Sequence, residues 1–212
     1  MKIWQKKLIN FVKPYMEKIG PEHSLDHSER VFKYCLTFSK GYKRVDSEAL
    51  FVAAYLHDLG YLKGRKDGVG HTKSILSEVA NVLKIVGARG DNLSLIKKII
   101  SFHGVRDDLS KTKLPVEILI FHDADKIDGS GAMGTARQLV YTGRIGRIIW
   151  DPKVKRNASL PYGGNFSAVH VLLDYHLRHR FYTKEAKRIV TTRKKYMREF
   201  VNQFIKEYNF KS

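Results

Sequence analysis

Residues 53–61 read AAYLHDLGY. Apolar and small side chains recur with helical spacing through about 46–59, at Ala49, Leu50, Val52, Ala53, Leu56 and Leu59. His57 and Asp58 interrupt that run side by side. A polar or charged group in an apolar segment is costly unless something pairs with it. A divalent cation is one such partner, because imidazole nitrogen and carboxylate oxygen together suit Mn, Fe, Zn, Co or Ni. Successive helical residues point about 100° apart. Both side chains therefore reach one ion only near a helix end, and Gly60 supplies such an end. Taken alone, the pair reads as structural.

Outward from this stretch, nearly every long segment carries the same helical period. Residues about 22–40 hold Leu25, Val31, Phe32, Cys35, Leu36 and Phe38; residues about 71–86 hold Ile75, Leu76, Val79, Val82 and Leu83. Residues 91–103 hold Leu93, Leu95, Ile96, Ile99, Ile100 and Phe102, with Asp91 or Asn92 available as N-cap. Residues 115–128 hold Val116, Ile118, Leu119, Ile120 and Phe121. No strand alternation of useful length competes, so the pattern predicts an all-α fold. A helical core over 1–150 is expected, followed by a long irregular stretch, DPKVKRNASLPYGGN (151–165), and C-terminal helices to 212. In the last of these, Ile189, Tyr196, Met197, Phe200, Val201 and Phe204 make an apolar stripe. Arg188, Arg193, Lys194, Lys195, Arg198 and Lys206 make its wet side.

A chain of 212 residues is long enough to bury a core without disulfides. The single cysteine, Cys35, has no partner for an internal bridge, which excludes a disulfide scaffold. It reads as a small buried hydrophobe. Lys6, Lys7 and Lys13 interrupt the N-terminus too often for a signal peptide. Trp4, Leu8, Phe11, Val12 and Tyr15 predict instead an amphipathic helix that stops near Pro14. No segment approaches a membrane span, so no membrane partner is expected and the cytoplasm is the default location. Lys and Arg number 39 against 21 Asp and Glu, a net charge of +18 that attracts phosphate-bearing molecules. No nucleic-acid-binding motif accompanies the charge, so nucleic acid is not the favoured partner.

His57 and Asp58 are not isolated. His27 lies upstream in HSERV, four residues after His23 and so on the same helix face. Downstream, FHDADKIDGSGA (121–132) sets Asp123, Asp125 and Asp128 at the end of an apolar helix. His71 follows the glycine-rich loop GYLKGRKDGVGH (60–71), and His103 ends SLIKKIISFH. The chain order is His27, His57-Asp58, His71, His103, Asp125.

That order resembles the HD-domain metal-dependent phosphohydrolase superfamily, whose motif H…HD…D is extended in some members to H…HD…H…H…D. HSERV looks like its H-x-x-R-V. DADKIDGSGAMGTAR (123–137) and the closing segment 183–208 are similar to the YedJ/YpgQ-like branch. Two departures stand out. His23-Ser24 replaces a His-Asp pair common in the branch, and His170–Tyr175 lacks the branch's Glu-Lys pair.

The resemblance implies an HD-domain helical bundle with an additional C-terminal helical segment. It implies His27, His57, Asp58 and Asp125 as ligands of a divalent ion (Mn, Mg, Fe, Co, Ni or Zn, with Mn favoured). Asp123 is then the alternative ligand, or like Asp128 a supporting carboxylate. His71 and His103 match the extra histidines and are expected, with Asp58, in the catalytic apparatus. Lys63, Arg65, Lys66, Lys126 and Arg137 are candidates to meet substrate phosphate. The implied activity is hydrolysis of a phosphoester or phosphoanhydride, with a small phosphorylated substrate such as a nucleotide. A di-iron oxygenase on the same ligands and a non-catalytic nucleotide or nucleic-acid binding module are the competing readings.

Overall fold

The computed structural model describes residues 1–62, 70–105, 108–154 and 166–210, with Gly70 and His71 described by backbone alone. Among these the fold is all-α, as the periodicity predicts, and no strand occurs. The chain divides into two compact units, Met1–Asp125 and Lys126–Ser212.

The first unit opens with α1 (Ile3–Ile19), α2 (Leu25–Ser39) and α3 (Ser47–Leu56). It continues with α4 (Gly70–Val86), α5 (Leu93–Phe102) and α6 (Val116–Asp128), whose last turn enters the second unit. The centre is α3. Every residue from Ala49 to Leu56 is buried, so this helix has no wet face. It packs against α1, α2 and α5. Asp46 starts it by accepting from the backbone N–H groups of Glu48 (3.0 Å) and Ala49 (2.8 Å), a cap worth about 1 kcal/mol. The Glu117 carboxylate on α6 accepts from the Asp46 N–H at 3.0 Å. The start of α3 is thereby tied to the start of α6. Asn92 precedes α5 without capping it; its side-chain amide donates to Asp46 instead. Cys35 is fully buried on α2, as its surroundings suggest.

Pro14 does not end the first helix, which continues to Ile19. A proline in a helix interior costs about 3 kcal/mol through its missing N–H and ring clash. Met16 and Ile19, one turn further on, are both buried. Burying two such side chains contributes about 1.5–3 kcal/mol each, enough to carry the helix past the proline.

The second unit contains α7 (Gly131–Arg144), α8 (Ala168–Asp174) and α9 (Lys184–Tyr208). Val169, Leu172, Met197 and Val201 form its core, with Trp150, Leu173, Phe200 and Phe204 packed around them. The glycines of the 123–137 block have steric work to do. A Cβ at Gly134 would stand 2.1 Å from the Gly129 carbonyl oxygen. Gly131 has φ +70°, and its Cβ would meet the Arg193 side chain at 2.9 Å. Arg193 is therefore not on the wet side of α9: its guanidinium donates to the Ile127 carbonyl at 2.6 Å. Lys194 likewise donates to the His179 carbonyl at 2.7 Å. Among the described residues, no helix is long and apolar enough to cross a membrane.

Candidate metal centre

Four helix ends of the first unit supply the polar groups. His27 lies in the first turn of α2, and Asp125 in the last turn of α6. His57 caps the C-terminus of α3, its N–H donating to the Ala53 carbonyl at 3.0 Å. His103 is the C-cap residue of α5. All three imidazoles are buried.

His57 and His103 solve one orientational problem identically. Nδ1 of His57 lies 3.1 Å from the Ala54 carbonyl, and Nδ1 of His103 lies 2.6 Å from the Ile100 carbonyl. A carbonyl only accepts, so Nδ1 carries the proton in both rings. In a neutral ring that leaves the lone pair on Nε2, the form a metal or a proton requires. The two rings sit 5.3 Å apart, nearly perpendicular.

The donor atoms converge. Nε2 of His27 and Nε2 of His57 are 3.3 Å apart. Asp58 Oδ2 lies 3.1 Å from His57 Nε2 and 3.4 Å from His27 Nε2. Asp125 Oδ1 lies 3.6 Å from His27 Nε2 and 3.9 Å from His57 Nε2. Two ligands held about 2.1 Å from one ion are about 3.0 Å apart at a right angle and about 3.4 Å apart in a tetrahedron. Two neutral nitrogens and two carboxylate oxygens at these spacings fit a divalent ion.

The charges agree with that arrangement. Burial would raise the Asp58 pKa, but His57 and His23 by charge, and His23 and His27 by hydrogen bonds, hold it well below 3.8. Burial would lower the His57 pKa. Asp58, then Asp125 and the Ala54 carbonyl, outweigh it and raise the pKa above 6.5.

The other candidates are placed as follows. Asp123 is fully buried with its carboxylate 3.4 Å from His122 Nδ1. Among the described residues, the groups spaced to hold a metal are His27 with His57 and Asp125, and His23 with His27 and Asp58; neither includes Asp123. Asp128, Lys126 and Arg137 belong to the second unit, where Arg137 donates to buried Asp128 at 2.8 Å. His71 lies in the first turn of α4, its side chain outside the described atoms. Lys63, Arg65 and Lys66 lie outside the described residues.

His23 is the residue that motif reasoning passes over. It closes a 3₁₀ turn, Pro21–His23, before Ser24 and α2, so it does not share a helix face with His27. Its Nδ1 nevertheless lies 2.8 Å from Asp58 Oδ2. The i, i+4 spacing from His27, and the histidine it keeps of the branch's His-Asp pair, are its signals in the sequence.

An all-helical frame holding a mixed nitrogen and oxygen donor set defines a helical metal-binding protein. The sequence profile of the HD domain matches residues 24–130, and the chain belongs to that family. Divalent-metal binding comes with membership, and the chain is a metal-dependent hydrolase of the HD superfamily. The Bacillus subtilis protein YpgQ is 28% identical over 167 residues, 78% of this chain and 75% of its own. Its structure in complex with ADP superposes with a TM-score of 0.67, at 21% identity over 96% of both chains. A Lactobacillus plantarum protein superposes with a TM-score of 0.79, at 22% identity over 99% of this chain and 98% of its own. A Bacillus thuringiensis HD-superfamily hydrolase gives a TM-score of 0.65, at 26% identity over 97% and 96%.

Proposed function

We propose that the chain hydrolyses a phosphoester or phosphoanhydride bond of a nucleotide in the cytoplasm. His27, His57, Asp58 and Asp125 would hold the divalent ion, with Mn favoured. The observation that carries this reading is the convergence of those four donors within the first unit. A bound divalent ion supplies a water of lowered pKa and polarises a phosphoryl oxygen.

The chain's own residues do the rest. His57 presents Nε2 because the Ala54 carbonyl fixes its tautomer. Asp58 is so strongly held as an anion that it serves better as ligand than as proton acceptor. His103 is the better base for the attacking water. Its Nδ1–H is anchored on Ile100, which leaves Nε2 to take the proton. A nucleotide substrate is supported by two observations. The similar YpgQ has been crystallised with ADP, and the +18 net charge draws polyanions.

The test is a panel of nucleoside mono-, di- and triphosphates, cyclic nucleotides and short RNA, each with Mn, Mg, Co, Ni, Zn or Fe. Turnover is expected for nucleotides and strongest with Mn. Silence across the panel, or O2 uptake by an iron-loaded form, would reject the proposal.

A further inference from the structure

We propose that His23 is a positioning residue of the metal centre, holding Asp58 in the orientation from which its carboxylate meets His27 and His57. Three imidazoles surround Asp58 Oδ2, and His23 is the nearest: 2.8 Å, against 3.1 Å for His57 and 3.4 Å for His27. A carboxylate oxygen accepts, so Nδ1–H of His23 donates. The His23 ring is itself held. Tyr61 lies over it with centroids 4.7 Å apart and planes 31° apart. The Tyr61 N–H donates to the Asp58 carbonyl at 3.0 Å. The turn that carries Asp58 thus folds back over the residue that holds its side chain. Asp58 needs such a restraint, because it follows the cap residue His57 and sits in a turn beyond α3.

His23, His27 and Asp58 are also close enough to ligate an ion themselves. Chemistry argues against His23 as a ligand of a second ion. The Nε2 of His27 has one lone pair, and that atom already faces His57 and Asp125. One lone pair serves one ion, so the two triads cannot be filled together. With its Nδ1–H given to Asp58, His23 acts from outside the ligand shell, and such partners typically govern metal affinity tenfold to a hundredfold.

The inference rests on the metal-binding part of the proposed function and not on the substrate. The experiment measures Mn2+ affinity by isothermal titration of chelator-stripped protein, and the absorption spectrum of the Co2+-loaded protein. His23→Phe keeps the ring over Tyr61 and loses the donor. His23→Asn keeps a donor at the δ position and loses the ring. Circular dichroism confirms the helical fold of each. We expect His23→Phe to weaken Mn2+ binding roughly ten- to hundredfold. We expect His23→Asn to bind within a few-fold of wild type, with an unchanged Co2+ spectrum. Wild-type affinity in His23→Phe would overturn the inference. So would equal losses in both variants, a changed Co2+ spectrum in His23→Asn, or a wild-type chain that binds neither ion. Tight Mn2+ binding without phosphate hydrolysis would instead sink the proposed function and leave His23 in its role.

Discussion

Oδ2 of Asp58 lies 3.1 Å from Nε2 of His57, although the two residues are neighbours in the chain. Regular helix geometry would send their side chains about 100° apart. α3 ends at Leu56; His57 caps it and Asp58 follows in the turn. The apolar stretch before them is α3, buried on all sides, and it fixes the place of both groups.

Asp125, not Asp123, faces His27 and His57. Asp125→Ala should therefore lower Mn2+ affinity by at least a hundredfold, roughly the upper range for lost support at a metal site. Asp123→Ala should lower it far less, though Asp123 is buried beside His122 and the variant should melt earlier. Isothermal titration of both variants decides between them. Equal losses would mean that the two carboxylates share the ion.

Metal affinity should climb with pH. An ion binds neutral imidazole, and the His57 pKa is raised above 6.5 by Asp58 and Asp125 against the opposing effect of burial. Mn2+ affinity should accordingly rise through a midpoint above 6.5, and a midpoint at or below that value would contradict the assignment. In the metal-free protein the two groups act with opposite signs. The raised His57 pKa stabilises the fold below its ordinary value, and that contribution is lost as pH rises through the raised one. The lowered Asp58 pKa stabilises the fold above 3.8, and that contribution is lost as pH falls through the lowered one.

Gly134→Ala tests the packing of the second unit. Its Cβ would fall 2.1 Å from a backbone oxygen of Gly129, and a backbone atom cannot swing aside. We expect a loss of about 3 kcal/mol in urea unfolding, the upper end for an overpacked site. A loss within about 0.5 kcal/mol, as at an unconstrained surface position, would show that the turn adapts.

The helices of the first unit were legible in the sequence because each buries one apolar stripe, or in α3 the whole circumference. What escaped has physical reasons. α7 is rich in small residues, and its Gly134 serves a close backbone approach, so no apolar period announces it. Pro14 reads locally as a stop, but the burial of Met16 and Ile19 overrides local preference. Arg193 and Lys194 look like surface charge, yet both are bound to carbonyls that no short window of sequence brings near them. At the candidate site, the family resemblance singled out His27, His57, Asp58 and Asp125, whose donor atoms lie close together. His23 did not, because its role depends on a hydrogen bond to a residue 35 positions away.

The central claim is that one ion, held by His57 and Asp58 with His27 and Asp125, drives hydrolysis. The most direct measurement is Mn-dependent nucleotide hydrolysis by wild type beside His57→Ala and Asp58→Ala, with circular dichroism on each. The account predicts turnover by wild type and its loss in both variants with the helical signal intact. Full activity in either folded variant would contradict it.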